Sequence, residues 1–350
     1  MKSYEITEFG GAINEVERQT PDPRGTEVLV RVTRAGVCHS DLHIADGFYD
    51  LGGGTKLDLG QRGISLPLAM GHEILGVVEK AGPDAVDAPI GQTRLVHPWL
   101  GCGECPVCKA GKENHCAKPQ AMGVFRGGGY SEYCVVPDPK FLVDIGDLDP
   151  SVATPYACSG VTVFSALKKA LPIVDGESLA IMGAGGLGLN AIAIAKAMGI
   201  SRVISCDIDD SKLEAAKEMG ADVVVNTSAP DALKQMQDAA DGYLRAVVDT
   251  VGAEATATLG QAAAMKGGRY VIVGLFGGQI TVSLPTLPLR ALSIIGSYTG
   301  SLEELKELIA LVQTGKVKPL PVSERPLAEV SQTLDDLRAG RIVGRVVLTN

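Results

Sequence analysis

The sequence predicts an α/β fold in two parts: a region of short β-strands, then a parallel sheet with helices on both faces. Three observations support this. Proline and glycine clusters divide the N-terminal region into short runs of alternating apolar and polar residues. From about Ser159 onward, apolar strands alternate with helical patterns of roughly 10–15 residues, as in doubly wound sheets. The length of 350 residues suits two domains.

Composition narrows the class of protein. The formal net charge is −9, whereas a protein that binds the phosphate backbone normally has a basic surface, so we expect no nucleic-acid partner. The chain has no uninterrupted run of 18 apolar residues and no apolar core of signal-peptide type at its start. We therefore expect a cytoplasmic protein that is not bound to a membrane. Its eight cysteines should then be reduced, which favours metal binding or catalysis over disulfides.

The most specific local motif is a set of four closely spaced cysteines. The spacing is Cys102-x2-Cys105-x2-Cys108-x7-Cys116. Four thiols at such short intervals are typical of a closed, tetrahedral zinc site. An iron–sulfur cluster is the alternative, because bacterial ferredoxin motifs also begin with C-x2-C-x2-C. In this chain, however, the fourth cysteine follows after seven residues and no second cysteine set exists.

A glycine-rich turn indicates a dinucleotide site. The segment Gly183-Ala-Gly-Gly-Leu-Gly188 follows an apolar strand and precedes a helical pattern, and the next strand ends at Asp207. In this Rossmann pattern, Gly183 permits the tight turn, Gly185 lets the backbone approach a pyrophosphate, and Gly188 lets helix and strand pack closely. An acidic residue at the position of Asp207 favours NAD over NADP, because it accepts hydrogen bonds from the ribose and repels a 2′-phosphate.

The segment Cys38-His-Ser-Asp-Leu-His43 is the first candidate for catalysis. It combines a thiol that can bind zinc with imidazole, hydroxyl and carboxylate groups. By itself it fits a polar loop with a buried free thiol equally well. The segment Gly71-His72-Glu73 and the later Cys158 supply similar groups, but they lie too far away in sequence for spacing to connect them.

A resemblance connects them. CHSDLH, GHE and the C-S-G-V-T-V that begins at Cys158 together resemble the zinc-dependent medium-chain alcohol dehydrogenases, of which the yeast-type and bacterial members are most similar. The likeness runs from about Val28 to Asn350. It implies a mainly β, GroES-like catalytic domain over 1–158 and 298–350, with the four-cysteine zinc lobe. It also implies an NAD-binding Rossmann domain over 159–297 and a homo-oligomer, either a dimer or a tetramer.

The resemblance also implies two zinc ions per chain. The structural ion would be held by the four clustered cysteines, and the catalytic ion, with one open position, by Cys38, His72 and Cys158. Glu73 would lie behind the catalytic zinc, and Asp41 would accept a hydrogen bond from His72. Ser40 would bond to the substrate oxygen and pass its proton through the ribose hydroxyl to His43, the outer end of the relay.

Further positions follow from the same resemblance. The cofactor would contact His39 and Arg345 near its pyrophosphate, Lys212 near its ribose, and the turn residues Gly183, Gly185, Gly186, Leu187 and Gly188. Trp99 and Tyr49 would form walls of the substrate pocket, although Trp99 also fits a plain core aromatic residue. The implied reaction is reversible hydride transfer between a primary or secondary alcohol and NAD, with zinc as Lewis acid. A zinc-free quinone-reductase-like oxidoreductase and a non-catalytic NAD(H)-binding protein are the alternatives, but neither needs the Cys–His–Cys set.

The segment 50–66 departs from the yeast-type pattern. It is rich in glycine, which predicts a long loop without regular structure. Five apolar residues could bury one side of it, namely Leu51, Leu57, Leu59, Ile64 and Leu66. Its ends lie close in sequence to the proposed catalytic metal, so we expect it to form the rim of the substrate cleft, with a subunit interface as the alternative.

Overall fold

The computed structural model describes all 350 residues. The strands are β1 Lys2–Ile6, β2 Ile13–Glu17, β3 Val28–Gly36, β4 Phe48–Asp50, β5 Lys56–Asp58, β6 Leu68–Ala69, β7 Glu73–Ala81, β8 Thr93–Val96, β9 Tyr133–Val136, β10 Leu142–Val143, β11 Ser178–Met182, β12 Arg202–Asp207, β13 Val223–Asn226, β14 Leu244–Asp249, β15 Arg269–Ile272, β16 Ser293–Gly296, β17 Val322–Pro326 and β18 Arg345–Thr349. The α-helices are α1 His39–Asp46, α2 Pro106–Lys109, α3 Pro150–Ala153, α4 Ser159–Ala170, α5 Gly186–Ala197, α6 Asp210–Glu218, α7 Ala232–Ala239, α8 Glu254–Ala263, α9 Thr286–Arg290, α10 Leu302–Gln313 and α11 Val330–Arg338. Short 3-10 turns occupy Glu113–His115, Pro139–Phe141, Thr154–Ala157 and Leu327–Glu329.

The later part of the chain forms a parallel, doubly wound sheet. Its strand order is β13-β12-β11-β14-β15-β16. All five residues of β11 are buried, as expected for a central strand covered on both faces. The order reverses direction next to β11, and ligands bind at such switch points of open α/β sheets. The predicted fold class is confirmed.

The earlier part of the chain is mainly β. Seven strands form one sheet, in the order β10-β8-β7-β3-β18-β17 with β9 also paired to β3. The last strand, β18, runs antiparallel to β3, so the C-terminal segment returns to the sheet that the N-terminal region began. A smaller sheet of β2, β1 and β6 packs beside it. None of the helices is long and apolar enough to cross a membrane.

The main hydrophobic core runs across both parts. One cluster of 40 buried residues includes Leu95 and Trp99 of the β-rich part together with Leu179, Ile192 and Val248 of the parallel sheet. Helix α4 packs on α5 and on strands β14 and β15, and the 3-10 turn before it, Thr154–Ala157, contacts β3 and β7, so this stretch of chain connects the two sheets. The cleft between the two parts therefore has a continuous apolar floor that fixes their relative position.

One open alternative, a polar loop after Cys38, is excluded. The residues that follow Cys38 form helix α1, not a polar loop, because the Asp41 carboxylate accepts a hydrogen bond from the Cys38 amide at the N-terminus of the helix. At its other end Gly47, with φ +82°, supplies the left-handed residue that ends a helix. The helix fixes the directions of its polar side chains relative to the thiol.

The glycine-rich segment 50–66 is more ordered than expected. Strands β4 and β5 pair as a β-hairpin, and its tip contacts the parallel-sheet part: a β-carbon on Gly52 would lie 2.6 Å from the carbonyl carbon of Gly278. Leu59 and Ile64 are buried, but Leu51 is exposed, so the predicted apolar side is incomplete. No residue of 51–66 lines the central cavity, and the place of this segment at the rim of the substrate cleft stays a prediction. The hairpin bridges the two parts through its tip.

Candidate active site

Three side chains that are remote in sequence meet at the floor of the cleft. Cys38 precedes α1, His72 precedes β7, and Cys158 precedes α4. Their ligand atoms lie within 4.8 Å of one another, and the Cys38 and Cys158 sulfurs are 3.9 Å apart. All three residues are buried. The fold therefore assembles one imidazole and two thiols from three different elements.

The arrangement fits a zinc ion. Two thiolates bound to one tetrahedral zinc at about 2.3 Å lie roughly 3.8 Å apart, which matches the observed sulfur separation. Nε2 of His72 is buried and has no hydrogen-bond partner, as expected for an atom that binds a metal. The Cys158 thiol lowers the pKa of Cys38 well below its ordinary value, which favours the thiolate that zinc needs.

A buried carboxylate supports His72 from behind. The Nδ1 atom of His72 lies 3.1 Å from Oδ1 of Asp41. The other oxygen of Asp41 accepts hydrogen bonds from the Cys38 amide at 2.9 Å and from the Tyr130 hydroxyl at 2.7 Å. Burial raises the pKa of Tyr130 well above its usual range, so this hydroxyl stays protonated and donates a hydrogen bond to Asp41. Sequence reasoning missed Tyr130, because only the fold brings it to Asp41.

Glu73 and Arg345 form a buried ion pair beside the same three side chains. The guanidinium Nη2 of Arg345 donates to Oε1 of Glu73, and both side chains are almost completely buried. The aliphatic part of Arg345 also packs on the glycine-rich turn, since a β-carbon on Gly186 would lie 2.6 Å from its Cδ. Arg345 thus connects the residues behind the metal trio with the predicted pyrophosphate site.

The four clustered cysteines form a second closed set. Sulfur separations are 3.5 Å for Cys105–Cys108, 3.8 Å for Cys105–Cys116 and 4.0 Å for Cys102–Cys108. These distances also match thiolates around one tetrahedral zinc. Hydrogen bonds from the Glu104 and Cys105 backbone lower the pKa of Cys102 to about 6. Sequence predicted this set from spacing alone, and the structure brings the four thiols together. We refer to residues 101–118 as the four-cysteine lobe.

The predicted dinucleotide residues line one side of the cleft. Gly183, Gly185, Gly186 and Leu187 face a cavity of about 390 Å³, together with Asp207 and Lys212. Gly183 adopts φ +92°, and a β-carbon on Gly188 would lie 1.8 Å from the Gly183 oxygen. Glycine is therefore required at both positions. Oδ2 of Asp207 accepts a hydrogen bond from the Ala184 amide at 2.7 Å, which fixes the carboxylate beside the turn.

Helix α1 directs its polar residues into the same cavity. His39, Ser40 and His43 line it, and the ring of Tyr49 lies 4.8 Å from that of His43. Burial and the neighbouring His39 lower the pKa of His43, which is therefore neutral at neutral pH. A neutral imidazole can accept a proton, and partial exposure leaves it a route to solvent.

Aromatic rings line the cavity beside His72. Trp99 is 6% exposed, its ring lies 5.3 Å from that of His72, and its Nε1 donates to the Ala157 carbonyl at 3.1 Å. Tyr298 lies edge-on to Trp99 at 6.2 Å. Val124 and Leu275 also line the cavity. Sequence reasoning found Trp99 and Tyr49 but missed Tyr298, Val124 and Leu275, for which no local motif exists.

These features together define a class of protein. A dinucleotide-type sheet shares a cleft with a β-rich part that brings two metal-ligand sets together, and one set faces the cleft. This combination is typical of a metal-dependent oxidoreductase.

Comparisons with known proteins agree. The family described as alcohol dehydrogenase GroES-like domain matches residues 24–147, and the family described as zinc-binding dehydrogenase matches residues 186–314. The NAD-dependent alcohol dehydrogenase of Sulfurisphaera tokodaii is 35% identical over 99% of both chains. An alcohol dehydrogenase of Geobacillus stearothermophilus is 37% identical over 99% of both chains. The alcohol dehydrogenase structure from Aeropyrum pernix superposes with a TM-score of 0.90 at 30% identity and covers both chains completely.

The chain therefore belongs to the zinc-dependent medium-chain alcohol dehydrogenases. Membership confirms the predicted enzyme class, an oxidoreductase that acts on alcohols with zinc and NAD. The non-catalytic and zinc-free alternatives lose their support, because the chain keeps both complete ligand sets.

Proposed function

We propose that the chain oxidises primary or secondary alcohols with NAD, and reduces the matching aldehydes or ketones, in the cleft between its two parts. The observation that carries this proposal is the buried Cys38–His72–Cys158 set, which opens onto the same cavity as the glycine-rich turn. Zinc held there supplies a Lewis acid that lowers the pKa of the alcohol. NAD supplies the hydride acceptor.

The surrounding residues hold the ligand set in place. Asp41 would orient His72 through Nδ1 and leave Nε2 free to hold a zinc ion. Tyr130 and the Cys38 amide in turn hold Asp41. The pair of Glu73 and Arg345 balances charge behind the site, and Arg345 is also close enough to the glycine-rich turn to support the predicted pyrophosphate contact.

The proton leaves along helix α1. The Ser40 hydroxyl lines the cavity one turn from His43, so it can accept the proton of the alcohol while His43 takes up a proton at the outer end. The lowered pKa of His43 favours this role, because a neutral imidazole is available at and below neutral pH. His39, on the exposed start of the helix, stays the proposed partner of the cofactor pyrophosphate.

The division into domains is likewise proposed. Strands β17 and β18 belong to the seven-stranded sheet, which supports a catalytic domain over 1–158 and 298–350 and a nucleotide-binding domain over 159–297. The active site would then lie at the interface of the two domains. Ligand sites often occur at such interfaces.

Substrate class follows from the wall of the pocket. Several residues that line the cavity besides the proposed metal and cofactor ligands are apolar or aromatic, namely Tyr49, Trp99, Val124, Leu275 and Tyr298. An apolar pocket of this kind favours alcohols with a hydrophobic group over polyols, because polar hydroxyls would lose their hydrogen bonds to water there.

We further propose a cytoplasmic homo-oligomer. All eight cysteines are free, which suits a reducing compartment. The outer edge of β16 is unpaired, Ile294 on it is exposed, and Leu284 and Leu289 nearby are 78% and 72% exposed. A second copy that pairs with this edge would satisfy its backbone groups and cover the apolar side chains.

The test combines metal analysis with a substrate panel. The purified enzyme should contain two zinc ions per chain, and it should reduce NAD with small primary, secondary, cyclic and benzylic alcohols. The Cys38→Ser variant should keep about one zinc per chain and lose activity by roughly a thousandfold or more, since the metal supplies most of the charge stabilisation. Full activity of that variant, or iron and labile sulfide in place of zinc, would contradict the proposal.

A further inference from the structure

The segment Ser297–Gly300 forms part of the substrate wall in an unfavourable conformation. Thr299 has φ +43°, a left-handed value that β-branched residues rarely adopt. The residue is 7% exposed, and its hydroxyl has no hydrogen-bond partner. Such conformations persist only where surrounding contacts hold them, and they concentrate at binding sites. Contacts with neighbouring residues must therefore hold Thr299 in this conformation.

Three hydrogen bonds fix the segment. The Ser297 amide donates to the Ile272 carbonyl at 2.8 Å, which continues β16. The ammonium group of Lys169 donates to the Ser297 hydroxyl at 2.8 Å. The third bond comes from the other part of the molecule: Nδ2 of Asn114 donates to the Tyr298 carbonyl at 3.1 Å. It is the bond closest to Thr299.

Asn114 connects the four-cysteine lobe to the backbone of Tyr298. It lies on the 3-10 turn Glu113–His115, between the lobe residues Cys108 and Cys116. It is 8% exposed, and its Oδ1 has no partner, so the bond to Tyr298 is its one hydrogen bond through the side chain. The position of its amide group therefore depends on the fold of the four-cysteine lobe.

The Tyr298 ring is the part of the wall that this bond controls. It lies edge-on to Trp99, which in turn lies 5.3 Å from His72. Tyr298 is 52% exposed and lines the cavity, so the position of its backbone contributes to the position of its ring. Without this bond the Tyr298 backbone could shift, and a shift of its Cα atom would move the ring relative to Trp99 and change the width of the pocket.

We propose that Asn114 is a positioning residue through which the four-cysteine lobe sets the width of the substrate pocket, by holding the carbonyl of Tyr298. The lobe then contributes to substrate selection as well as to stability. This inference rests on the proposed substrate wall, and it concerns the ratio of bulky to small alcohols that the enzyme accepts.

The main experiment compares Asn114→Leu with His115→Ala. Leucine keeps the branched shape and the number of side-chain heavy atoms but removes the donor, whereas His115 is an exposed residue on the same turn. We expect Asn114→Leu to change the ratio of kcat/KM for benzyl alcohol over ethanol by about threefold or more, as expected for loss of one hydrogen bond. His115→Ala should leave the ratio unchanged. An unchanged ratio in Asn114→Leu overturns the proposal.

Tyr298→Ala separates this inference from the proposed function. Alone, it should change the same ratio, and in its background Asn114→Leu should have no further effect, because the ring that Asn114 positions is gone. If Tyr298→Ala leaves the ratio unchanged, the proposed substrate wall is wrong. If it changes the ratio and Asn114→Leu does not, the wall stands and the positioning role is wrong.

A second readout does not depend on activity. Trp99 is the single tryptophan of the chain, so its fluorescence reports on this wall. Acrylamide should quench Trp99 more strongly in Asn114→Leu than in the parent enzyme or in His115→Ala, while zinc stays at two per chain. Should Asn114→Leu lose the lobe zinc, Asn114→Ala takes its place, because it removes the same donor without adding a branched apolar group to the lobe. Equal quenching and an equal ratio in Asn114→Ala would overturn the proposal.

Discussion

His43 lies between the buried metal ligands and solvent, and its surroundings decide when it can accept a proton. Burial and His39 both disfavour its charged form and lower its pKa from the usual 6.5. A base with a lowered pKa stays neutral, and therefore able to accept a proton, at pH values below 6.5. Catalysis that uses His43 is lost only as the pH falls through this lowered value.

The first prediction concerns His43→Gln. Near neutral pH the variant should oxidise alcohols about ten- to a hundredfold more slowly, within or below the usual contribution of a general base. The deficit should shrink as pH rises, because hydroxide replaces the imidazole. The measurement is kcat/KM between pH 5.5 and 10, with His115→Gln on the exposed surface as control. A profile that matches the parent enzyme at every pH would exclude His43 from the proton path.

Asp207 is a second single residue with a predicted effect: we expect its carboxylate to favour NAD over NADP. Oδ1 of Asp207 accepts hydrogen bonds from the amides of Ile208 at 2.8 Å and Asp209 at 3.1 Å, and Oδ2 accepts one from Ala184. Both oxygens are thus held at the end of β12, beside the glycine-rich turn. A fixed negative charge there repels the 2′-phosphate of NADP.

The second prediction follows from this geometry. The enzyme should prefer NAD over NADP by at least about tenfold in kcat/KM, or roughly 1.4 kcal/mol, and Asp207→Gly should narrow that preference. The exposed neighbour Asp210, changed to Asn, is the control, and it should leave the preference as it is. Steady-state rates with both cofactors give the answer. Equal use of NAD and NADP by the parent enzyme would refute the assignment.

The hairpin of β4 and β5 is the element whose behaviour the sequence least determined. Its glycines predicted a long loop or Ω-like excursion, yet strands β4 and β5 pair and Gly52 packs against the backbone of Gly278. Gly52 and Gly54 have almost the same φ, +82° and +80°, but a β-carbon on Gly54 would meet nothing within 4 Å. The two positions therefore differ mainly in this contact, and they form a matched pair.

The third prediction uses that pair. Gly54→Ala should lower the free energy of unfolding by about 1–2 kcal/mol, the usual cost of a left-handed alanine. Gly52→Ala should lower it by a further 1–3 kcal/mol or so, because the added methyl group forces the hairpin away from Gly278. Denaturant unfolding measures both. Equal losses in the two variants would mean that the hairpin does not hold the two parts together.

On the scale of the whole molecule, one edge of the parallel sheet leaves the backbone hydrogen-bonding groups of β16 unpaired. Strand β16 pairs with β15 on one side only, and Ile294 on it is 36% exposed. An edge strand with apolar side chains favours pairing with a second chain. The same two-part architecture confines the active site to the cleft, so loss of the pairing should not remove any residue from it.

The fourth prediction tests this edge. Ile294→Glu should shift the enzyme to a smaller species in light scattering coupled to gel filtration, because a buried unpaired carboxylate disfavours the interface. Val86→Glu, at an 88% exposed position of the β-rich part, should keep the parental mass. If Ile294→Glu keeps it as well, β16 is not the contact between subunits.

The sequence by itself determined the fold class and the parts of the site that are local in the chain. The four cysteines needed only their spacing, and the turn at Gly183–Gly188 needed only its place between a strand and a helix. Both patterns are local, because each set of groups lies within one short segment of the chain. The set of Cys38, His72 and Cys158 required a resemblance to known enzymes, since no spacing relates residues so far apart.

Only the tertiary structure decided the rest. It brought Tyr130 to Asp41, paired Glu73 with Arg345, and placed Asn114 against Tyr298. It also turned a glycine-rich segment into a hairpin that bridges two sheets. Each of these contacts joins residues on separate elements, and the packing of the whole core fixes how those elements lie. A local sequence pattern indicates what chemistry a side chain can perform, but the packing of the fold determines which residue that side chain contacts.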